Sequence, residues 1–141
     1  MHIAMLSGEY PPRWGGMGST VFHLSAALVA RGHRVTVITR NGGGGSTPEQ
    51  EGVQVREVRW AKIPMAFTRS YGKYALNDLL RLHSEDPVDV VHLHCPMISW
   101  DTRHFQICRS KVSPVVSSLH GSWLGERDGL LTARRKRQAA V

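Results

Sequence analysis

Cysteine is scarce in this sequence, which contains only Cys95 and Cys108. Two cysteines are too few for the disulfide framework of a small secreted domain. The chain does not open with a basic, then apolar, then small-residue leader, and no apolar run approaches the ~18 residues of a bilayer-spanning helix. We therefore expect a cytoplasmic, reduced protein without a transmembrane segment.

The sequence also lacks a broad distribution of basic residues. Its formal net charge of +7 is the difference between 18 Lys plus Arg and 11 Asp plus Glu, and the four basic residues at 134–137 account for more than half of that excess. A nucleic-acid-binding domain usually spreads its basic groups over one face. We therefore expect no nucleic-acid partner. The competing hypothesis, binding through residues 134–137, predicts an affinity that falls steeply with salt.

Short apolar runs alternate with amphipathic stretches along the chain. The apolar runs are Ile3–Leu6, Val35–Ile38, Val88–Leu93 and Val115–Val116. The amphipathic stripes are Val21, Phe22, Leu24, Leu28 and Val29, then Phe67, Tyr71, Tyr74, Ala75, Leu79 and Leu82, and finally Trp100, His104, Ile107 and Cys108. Alternating strands and helices are joined by right-handed crossovers. We predict one α/β domain over residues 1–141, with a Rossmann-like, doubly wound, mostly parallel sheet and helices on both faces.

The ends of the predicted elements have signals of their own. Ser19 or Thr20 is a plausible N-cap for the first helix, and Gly32 is its stop signal. The imperfect alternation over Val53–Val58 indicates an edge strand. The four glycines between residues 41 and 46 favour a plain flexible connection over a mobile rim of a binding cleft.

The candidate ligand site lies beyond the carboxyl ends of the strands, as in other sheets of this type. The loop after the first strand ends in Gly15, Gly16, Met17 and Gly18, and small residues there let an anion such as a sugar phosphate approach the backbone amides of the helix. A helix N-terminus contributes about 0.3 to 2 kcal/mol toward a bound anion, whereas micromolar affinity needs about 8 kcal/mol. The glycine turn can therefore orient a phosphate but cannot form a whole binding site.

Two familiar phosphate-binding motifs fail on spacing. A dinucleotide fingerprint needs a third glycine where Val21 stands, and a P-loop needs a lysine where Gly18 is followed by Ser19 and Thr20. Hydride transfer and nucleotide hydrolysis are therefore disfavoured. A purely structural role for the glycines, a close contact between helix and strand, stays open beside the ligand-binding one.

Histidines follow or end two of the later strands. His92 and His94 alternate along one strand, so they share a face, and Cys95 follows them; a zinc site is conceivable, but a third ligand is not identifiable and hydrogen-bonded histidines are favoured. His120, followed by Gly121, can contact a ligand after the last strand.

Two carboxylates lie further along the chain, at Glu126 and Asp128. A glycosidase-like pair is one interpretation of them, but capping at a helix start is favoured.

Four landmarks together resemble the opening of retaining GT-B glycosyltransferases of the glycogen synthase and sucrose synthase type. They are Glu9 to Pro12, the turn Gly15 to Gly18 with the following stretch through Ile38, Asp89 to His94, and His120 to Trp123. The landmarks occur in the family's order and span nearly the whole chain. The resemblance implies transfer of a hexose from a nucleotide sugar, such as ADP- or UDP-glucose, to a carbohydrate acceptor hydroxyl with retained configuration and no obligatory metal.

The resemblance also implies roles for single residues. His120 is the expected catalytic residue, in contact with the transferred sugar near the reacting carbon. The residues expected at the donor's diphosphate and sugar are Gly15, Gly16, Met17, Gly18 and Arg13. The residues expected in the acceptor-side crevice are Glu9, Tyr10, His94, Gly121 and Trp123. Two positions depart from the glycogen synthases, which have lysine at the position of Arg13 and often aspartate at that of Cys95, so a glucan acceptor does not follow.

The family's second, nucleotide-binding Rossmann domain has no counterpart in these 141 residues. We expect the chain to be the N-terminal, acceptor-side domain, incomplete at its C-terminus, an excised or truncated piece that is inactive alone and needs the second domain in cis or in trans. The alternative is a non-catalytic module of the same fold that binds a glycan or a partner.

Overall fold

Five parallel strands form one sheet in the order β3-β2-β1-β4-β5. A computed structural model describes residues 1–13, 15–42, 50–63 and 66–121. The strands are β1 (His2–Leu6), β2 (Arg34–Arg40), β3 (Val53–Val58), β4 (Val90–His94) and β5 (Val115–Ser118). The helices are α1 (Gly16–Ala30), α2 (Phe67–Glu85) and α3 (Thr102–Lys111), with a short 3₁₀ turn at Pro96–Ile98. This is the predicted doubly wound α/β arrangement.

The burial of the strands follows their place in the sheet. All five residues of β1, the central strand, are buried, as are the five central residues of β2. The edge strand β3 is only half-buried, with one fully buried residue, Val58. The edge position predicted for Val53–Val58 is therefore confirmed.

Helices cover both faces of the sheet, and alternate residues of β1 therefore belong to two separate cores. Ile3 and Met5 pack with Val21 of α1 on one face. Ala4 and Leu6 pack with Leu79 of α2, and α3 covers the same face. Among the described residues, no helix is both long and apolar enough to span a bilayer.

The first helix begins earlier than predicted. Gly15 is the N-cap, and Ser19 donates its backbone N–H to the Gly15 carbonyl at 2.9 Å, so Ser19 already lies in the first turn. The Thr20 hydroxyl donates to the Gly16 carbonyl at 2.9 Å instead of capping a free amide. The predicted cap at Ser19 or Thr20 is therefore wrong, and Gly16, Met17 and Gly18 belong to the helix itself.

The end of α1 matches the prediction. Gly32 adopts a positive φ of 81°, and its N–H reaches the Val29 carbonyl at 2.8 Å. The N–H of His33 reaches back to the Leu28 carbonyl at 3.1 Å. These are the bonds of a left-handed helix terminus, which glycine adopts without steric strain.

The winding direction of the sheet reverses between β1 and β4. The chain moves from β1 outward through β2 to β3, then crosses to β4 on the other side of β1 and continues to β5. Ligands of open α/β sheets bind beyond the carboxyl ends of the strands at such a reversal. The loop after β1 and the end of β4 therefore define the candidate site.

Candidate functional site

A cavity of about 250 Å³ lies at this reversal, and we call it the switch-point pocket. Its lining residues are Gly8, Glu9, Met17, Arg40, Thr68, Tyr71, His94, Cys95, Ile98 and Ser99. They come from the loop after β1, the start of α1, the ends of β2 and β4, the start of α2 and the segment after β4. One cavity thus collects residues that lie far apart in the sequence.

The glycines of the turn have different surroundings. A Cβ added to Gly18 would lie 2.8 Å from the Arg13 carbonyl oxygen, and one added to Gly15 would lie 2.5 Å from Glu9 Oε2. A Cβ added to Gly16 would meet nothing within 4 Å, and Gly16 is exposed. Gly18 is therefore required by packing against its own loop, whereas Gly16 leaves its backbone open to a ligand.

Arg13 is held at the end of β2, outside the lining of the pocket. Its guanidinium donates to the carbonyls of Arg40 at 3.1 Å, Asn41 at 3.0 Å and Gly42, and lies 5.4 Å from the centroid of the Trp60 ring. These contacts join the loop after β1 to the end of β2. The donor-binding role predicted for Arg13 stays a prediction.

Arg40 supplies the guanidinium that does line the pocket. Its Nε donates to the Gly8 carbonyl at 2.5 Å, and its charge lies 5.0 Å from the Trp60 centroid. Burial lowers the pKa of Arg40 and the charge of Arg13 adds to that, while Glu9 and Tyr71 oppose it. The pocket therefore has both a partly desolvated cation and the Glu9 carboxylate on its walls.

Tyr71 is a buried, neutral wall of the same pocket. Its hydroxyl donates to the Ile38 carbonyl at 2.9 Å, and burial raises its pKa although the charge of Arg40 opposes the rise. Tyr71 therefore fixes α2 against the end of β2.

Three histidine rings lie next to one another, two on β4 and one after β5. The ring centroids of His92 and His94 are 4.2 Å apart and those of His94 and His120 are 5.0 Å apart. His94 Nδ1 lies 2.7 Å from His120 Nε2, and His92 Nε2 lies 2.8 Å from the Ser118 hydroxyl. The shared face predicted for His92 and His94 is confirmed.

The surroundings keep two of these rings neutral near pH 7. Burial, then the neighbouring His92 and His120, lowers the pKa of His94 to about 3. Burial and His120 also lower the pKa of His92. Among the described residues no group of three His, Cys, Asp or Glu side chains is arranged to hold a metal ion.

Cys95, which follows β4, contacts both the end of β5 and His120. It has a left-handed backbone with φ of 48°, its N–H donates to the Ser118 carbonyl at 2.9 Å, and its Sγ lies 3.3 Å from the His120 N–H. These bonds fix the position of the His120 backbone beside the pocket.

The structure brings some of the predicted site residues together and separates others. Glu9, Met17 and His94 line the switch-point pocket, and His120 adjoins it through His94. Gly121 is exposed next to His120. Trp123 lies outside the described residues, as do Glu126 and Asp128.

Tyr10 does not belong to the crevice, and that prediction is wrong. Its ring is 2% exposed and packs in the core beneath α1, 5.9 Å from the Phe22 ring. Its hydroxyl donates to Gln50 Oε1 at 2.8 Å, which satisfies the polar atom inside the fold. Its place in the loop after β1 indicated the crevice, but the apolar area of the ring favours burial.

Sequence reasoning missed part of the pocket wall. Arg40 follows the same rule that selected the other candidates, because it ends a strand, and it could have been identified. Gly8 and Cys95, in the segments that follow β1 and β4, were missed as well. The other missed residues are Thr68, Tyr71, Ile98 and Ser99, which reach the pocket only through the packing of α2 and of the 3₁₀ turn.

Comparisons with known proteins show which family the chain belongs to. The model of Glycosyltransferase Family 4 matches residues 14–140. The chain belongs to this family. It is 34% identical over 161 aligned residues to a glycogen synthase from Mycobacterium tuberculosis, covering 98% of this chain and 38% of that protein. It is 36% identical over 141 aligned residues to an uncharacterized glycosyltransferase from Methanocaldococcus jannaschii, covering 92% of this chain and 33% of that protein.

The fold of this family member is also that of a solved structure. Sucrose-phosphate synthase from Thermosynechococcus elongatus superimposes with a TM-score of 0.65 at 15% identity, covering 85% of this chain and 33% of that one. The comparison supports the Rossmann-like fold of GT-B glycosyltransferases. The chain spans 33% to 38% of the length of the curated relatives that it matches.

Proposed function

We propose that this family member is the acceptor-side half of a glycosyltransferase. It takes part in moving a hexose from a nucleotide sugar, such as ADP- or UDP-glucose, to a carbohydrate acceptor hydroxyl with retention of configuration and without an obligatory metal. A second Rossmann domain, in the same polypeptide or in a separate one, binds the nucleotide. The free Cys95 and Cys108 are compatible with the reducing cytoplasm as its location.

The position of the switch-point pocket supports this proposal most directly. It opens where the winding of the sheet reverses, and it combines the start of α1 with the end of β4. The exposed Gly16 lets a diphosphate approach the first amides of α1 without a steric clash. Because that helix end alone binds an anion weakly, a second domain has to hold most of the donor.

The polar groups of the pocket fit the bond changes of sugar transfer. The bond between the anomeric carbon and the diphosphate breaks, a bond to the acceptor oxygen forms, and the acceptor proton leaves with the diphosphate. Glu9, which lines the pocket, is the residue proposed to accept a hydrogen bond from an acceptor hydroxyl. His120 is the residue proposed to contact the transferred sugar, where polar groups stabilise developing charge.

A chimera tests the proposal. Residues 1–141 would replace the matching N-terminal part of the Mycobacterium tuberculosis glycogen synthase, with the intact synthase as the positive control. We expect nucleoside diphosphate release from ADP- or UDP-glucose with a maltooligosaccharide acceptor, and a product of retained anomeric configuration by NMR. The chain alone should give no turnover.

Two histidine substitutions provide the matched controls for the chimera. His120→Ala should lower kcat by about 10²-fold or more if its ring acts at the reacting carbon. His23→Ala, on the exposed side of α1, should leave kcat unchanged. A folded chimera that binds the nucleotide sugar and the acceptor without transfer contradicts the proposal and favours the non-catalytic binding module.

A further inference from the structure

His94 carries a buried ring nitrogen that has no hydrogen-bond partner among the described residues. The residue is 4% exposed, it lines the switch-point pocket, and its Nε2 is the unpaired atom. Leaving a buried polar group unsatisfied costs about 1 to 3 kcal/mol. Such groups are rare in native proteins, and a bound ligand is one physical reason for them.

The other nitrogen of His94 is engaged. Its Nδ1 lies 2.7 Å from His120 Nε2, so one of these two atoms must carry the proton and the other must accept it. His92 does not compete for this bond, because its Nε2 is paired with the Ser118 hydroxyl at 2.8 Å. The low pKa of His94, about 3, means that its ring holds a single proton near pH 7.

When each ring holds a single proton, the outer nitrogens of the pair are coupled. If His94 Nδ1 carries the proton, His94 Nε2 is an acceptor and the proton of a neutral His120 resides on its Nδ1. If His120 Nε2 carries it, His94 Nε2 is a donor and His120 Nδ1 is an acceptor. Whatever binds His94 Nε2 therefore decides the role of His120 Nδ1.

We propose that His94 Nε2 hydrogen-bonds a sugar hydroxyl in the switch-point pocket and, through Nδ1, determines which nitrogen of His120 carries the proton. A hydroxyl both donates and accepts, so it fits either arrangement, whereas an unprotonated phosphate oxygen only accepts. His94 is thus a ligand-binding residue and the positioning residue for His120. The ligand class rests on the proposed function, but the coupling of the two rings does not.

Histidine side-chain NMR on the 141-residue chain tests the coupling without any turnover. With ¹⁵N-labelled histidine, we expect one tautomer of neutral His120 in the unmodified chain. His94→Phe removes the partner nitrogen, so the shifts of the two His120 nitrogens should move toward each other as two tautomers mix. His23→Phe, on the exposed side of α1, is the control and should leave His120 unchanged.

Added sugars test the hydroxyl contact. Glucose and maltose are the probes, and inorganic phosphate at equal ionic strength is the comparison. We expect both sugars to shift the His94 Nε2 resonance in the unmodified chain, phosphate to leave it unchanged, and His94→Gln to weaken sugar binding at least several-fold. A response to phosphate alone, no response to either sugar, or an unchanged His120 tautomer in His94→Phe overturns the proposal.

The chimera separates this inference from the proposed function. A chimera that transfers sugar, together with a His120 tautomer that ignores His94→Phe, rejects the inference and leaves the function standing. Coupled rings that respond to sugars in a chain whose chimera is inactive reject the function and leave the inference standing.

Discussion

At the scale of single residues, two glycines of one helical turn differ in what they contribute. A Cβ added to Gly18 would lie only 2.8 Å from the Arg13 carbonyl oxygen, whereas a Cβ added to Gly16 would contact nothing within 4 Å. We predict that Gly18→Ala lowers the free energy of unfolding by about 1 to 3 kcal/mol, because the backbone of the loop has to shift. Urea unfolding followed by circular dichroism measures this loss.

Gly16→Ala is the matched control for that loss. It adds the same methyl group without a clash, so stability should change by less than about 1 kcal/mol. In the chimera, however, the same substitution should weaken donor binding if a diphosphate approaches this turn. Equal stability losses in the two variants would contradict the distinction between them.

The buried His94 makes stability depend on pH. Its folded-state pKa of about 3 lies below the ordinary value of 6.5, so between these limits the unfolded chain binds more protons. Stability from this group is present above about pH 6.5 and is lost as the pH falls toward 3. The slope from one such proton reaches about 1.4 kcal/mol per pH unit.

His94→Gln should flatten that dependence, because glutamine keeps a polar group but does not titrate. Urea unfolding at several pH values between 6.5 and 4 measures the slope in both chains. His23→Gln serves as the control, because it makes the same change of residue type at an exposed position. An equally steep slope in His94→Gln would show that His94 is not the source.

Prediction from sequence worked where a residue type has one dominant physical preference. His92 and His94 share a face because strand side chains alternate, and that geometry needs no tertiary information. Tyr10 has two preferences, a polar tip and a large apolar ring, and the packing beneath α1 decides between them. The pocket residue Tyr71 was predicted only as part of an apolar helix stripe, because its contact with the Ile38 carbonyl depends on how α2 meets β2.

At the scale of elements, the start of α1 shows why helix boundaries are hard to predict. Ser19 and Thr20 are residues that favour N-caps, but the paired glycines let the backbone turn into the helix one turn earlier. The end at Gly32 was predictable because the positive φ itself favours glycine. A helix end that requires a positive φ is therefore easier to predict from sequence than a helix start at which several residues could serve as the N-cap.

Arg56 of the edge strand β3 forms ion pairs with Asp78 and, at 3.4 Å, with Glu85 of α2. Arg56 Nε and Nη2 meet the two Asp78 oxygens at 2.8 Å and 3.1 Å, with the side chains 16% and 10% exposed. Arg56→Lys keeps the charge but loses the bidentate geometry. We predict a loss of about 1 to 2 kcal/mol in the free energy of unfolding by urea titration.

Arg59→Lys is the control for this substitution, because Arg59 is exposed next to the same strand. It should change stability by less than about 0.5 kcal/mol. A loss in Arg56→Lys no larger than in Arg59→Lys would mean that the apolar packing of β3 alone holds the strand.

At the scale of the whole molecule, the sheet topology determines where the site lies. It does not determine which residues line the site. The alternation of elements predicts a parallel sheet, and a parallel sheet that winds in two directions has one reversal at which ligands bind. The pocket wall also needs Thr68, Ile98 and Ser99, which arrive from α2 and the 3₁₀ turn. Their positions depend on packing between helices, which the periodicity of a sequence does not encode.

The same topology predicts how the chain responds to nucleotides. The N-terminus of α1 at the switch-point pocket orients an anion but supplies at most about 2 kcal/mol. A ligand at 100 times its Kd stabilises a folded protein by about 2.7 kcal/mol, which raises the Tm of a domain of this size by several degrees. We therefore expect millimolar ADP-glucose or UDP-glucose to leave the Tm of the 141-residue chain unchanged in a thermal melt.

The chimera with the second domain should behave differently with the same ligands. Its Tm should rise by several degrees with one of the two nucleotide sugars, because the added domain supplies the contacts to the nucleotide. Gly16→Ala in the chimera should reduce that rise if a diphosphate approaches α1 at this turn, because the added methyl group would stand in its path. A clear Tm rise in the 141-residue chain alone would contradict the proposal that the second domain binds most of the donor, because this chain would then supply much of the binding energy itself.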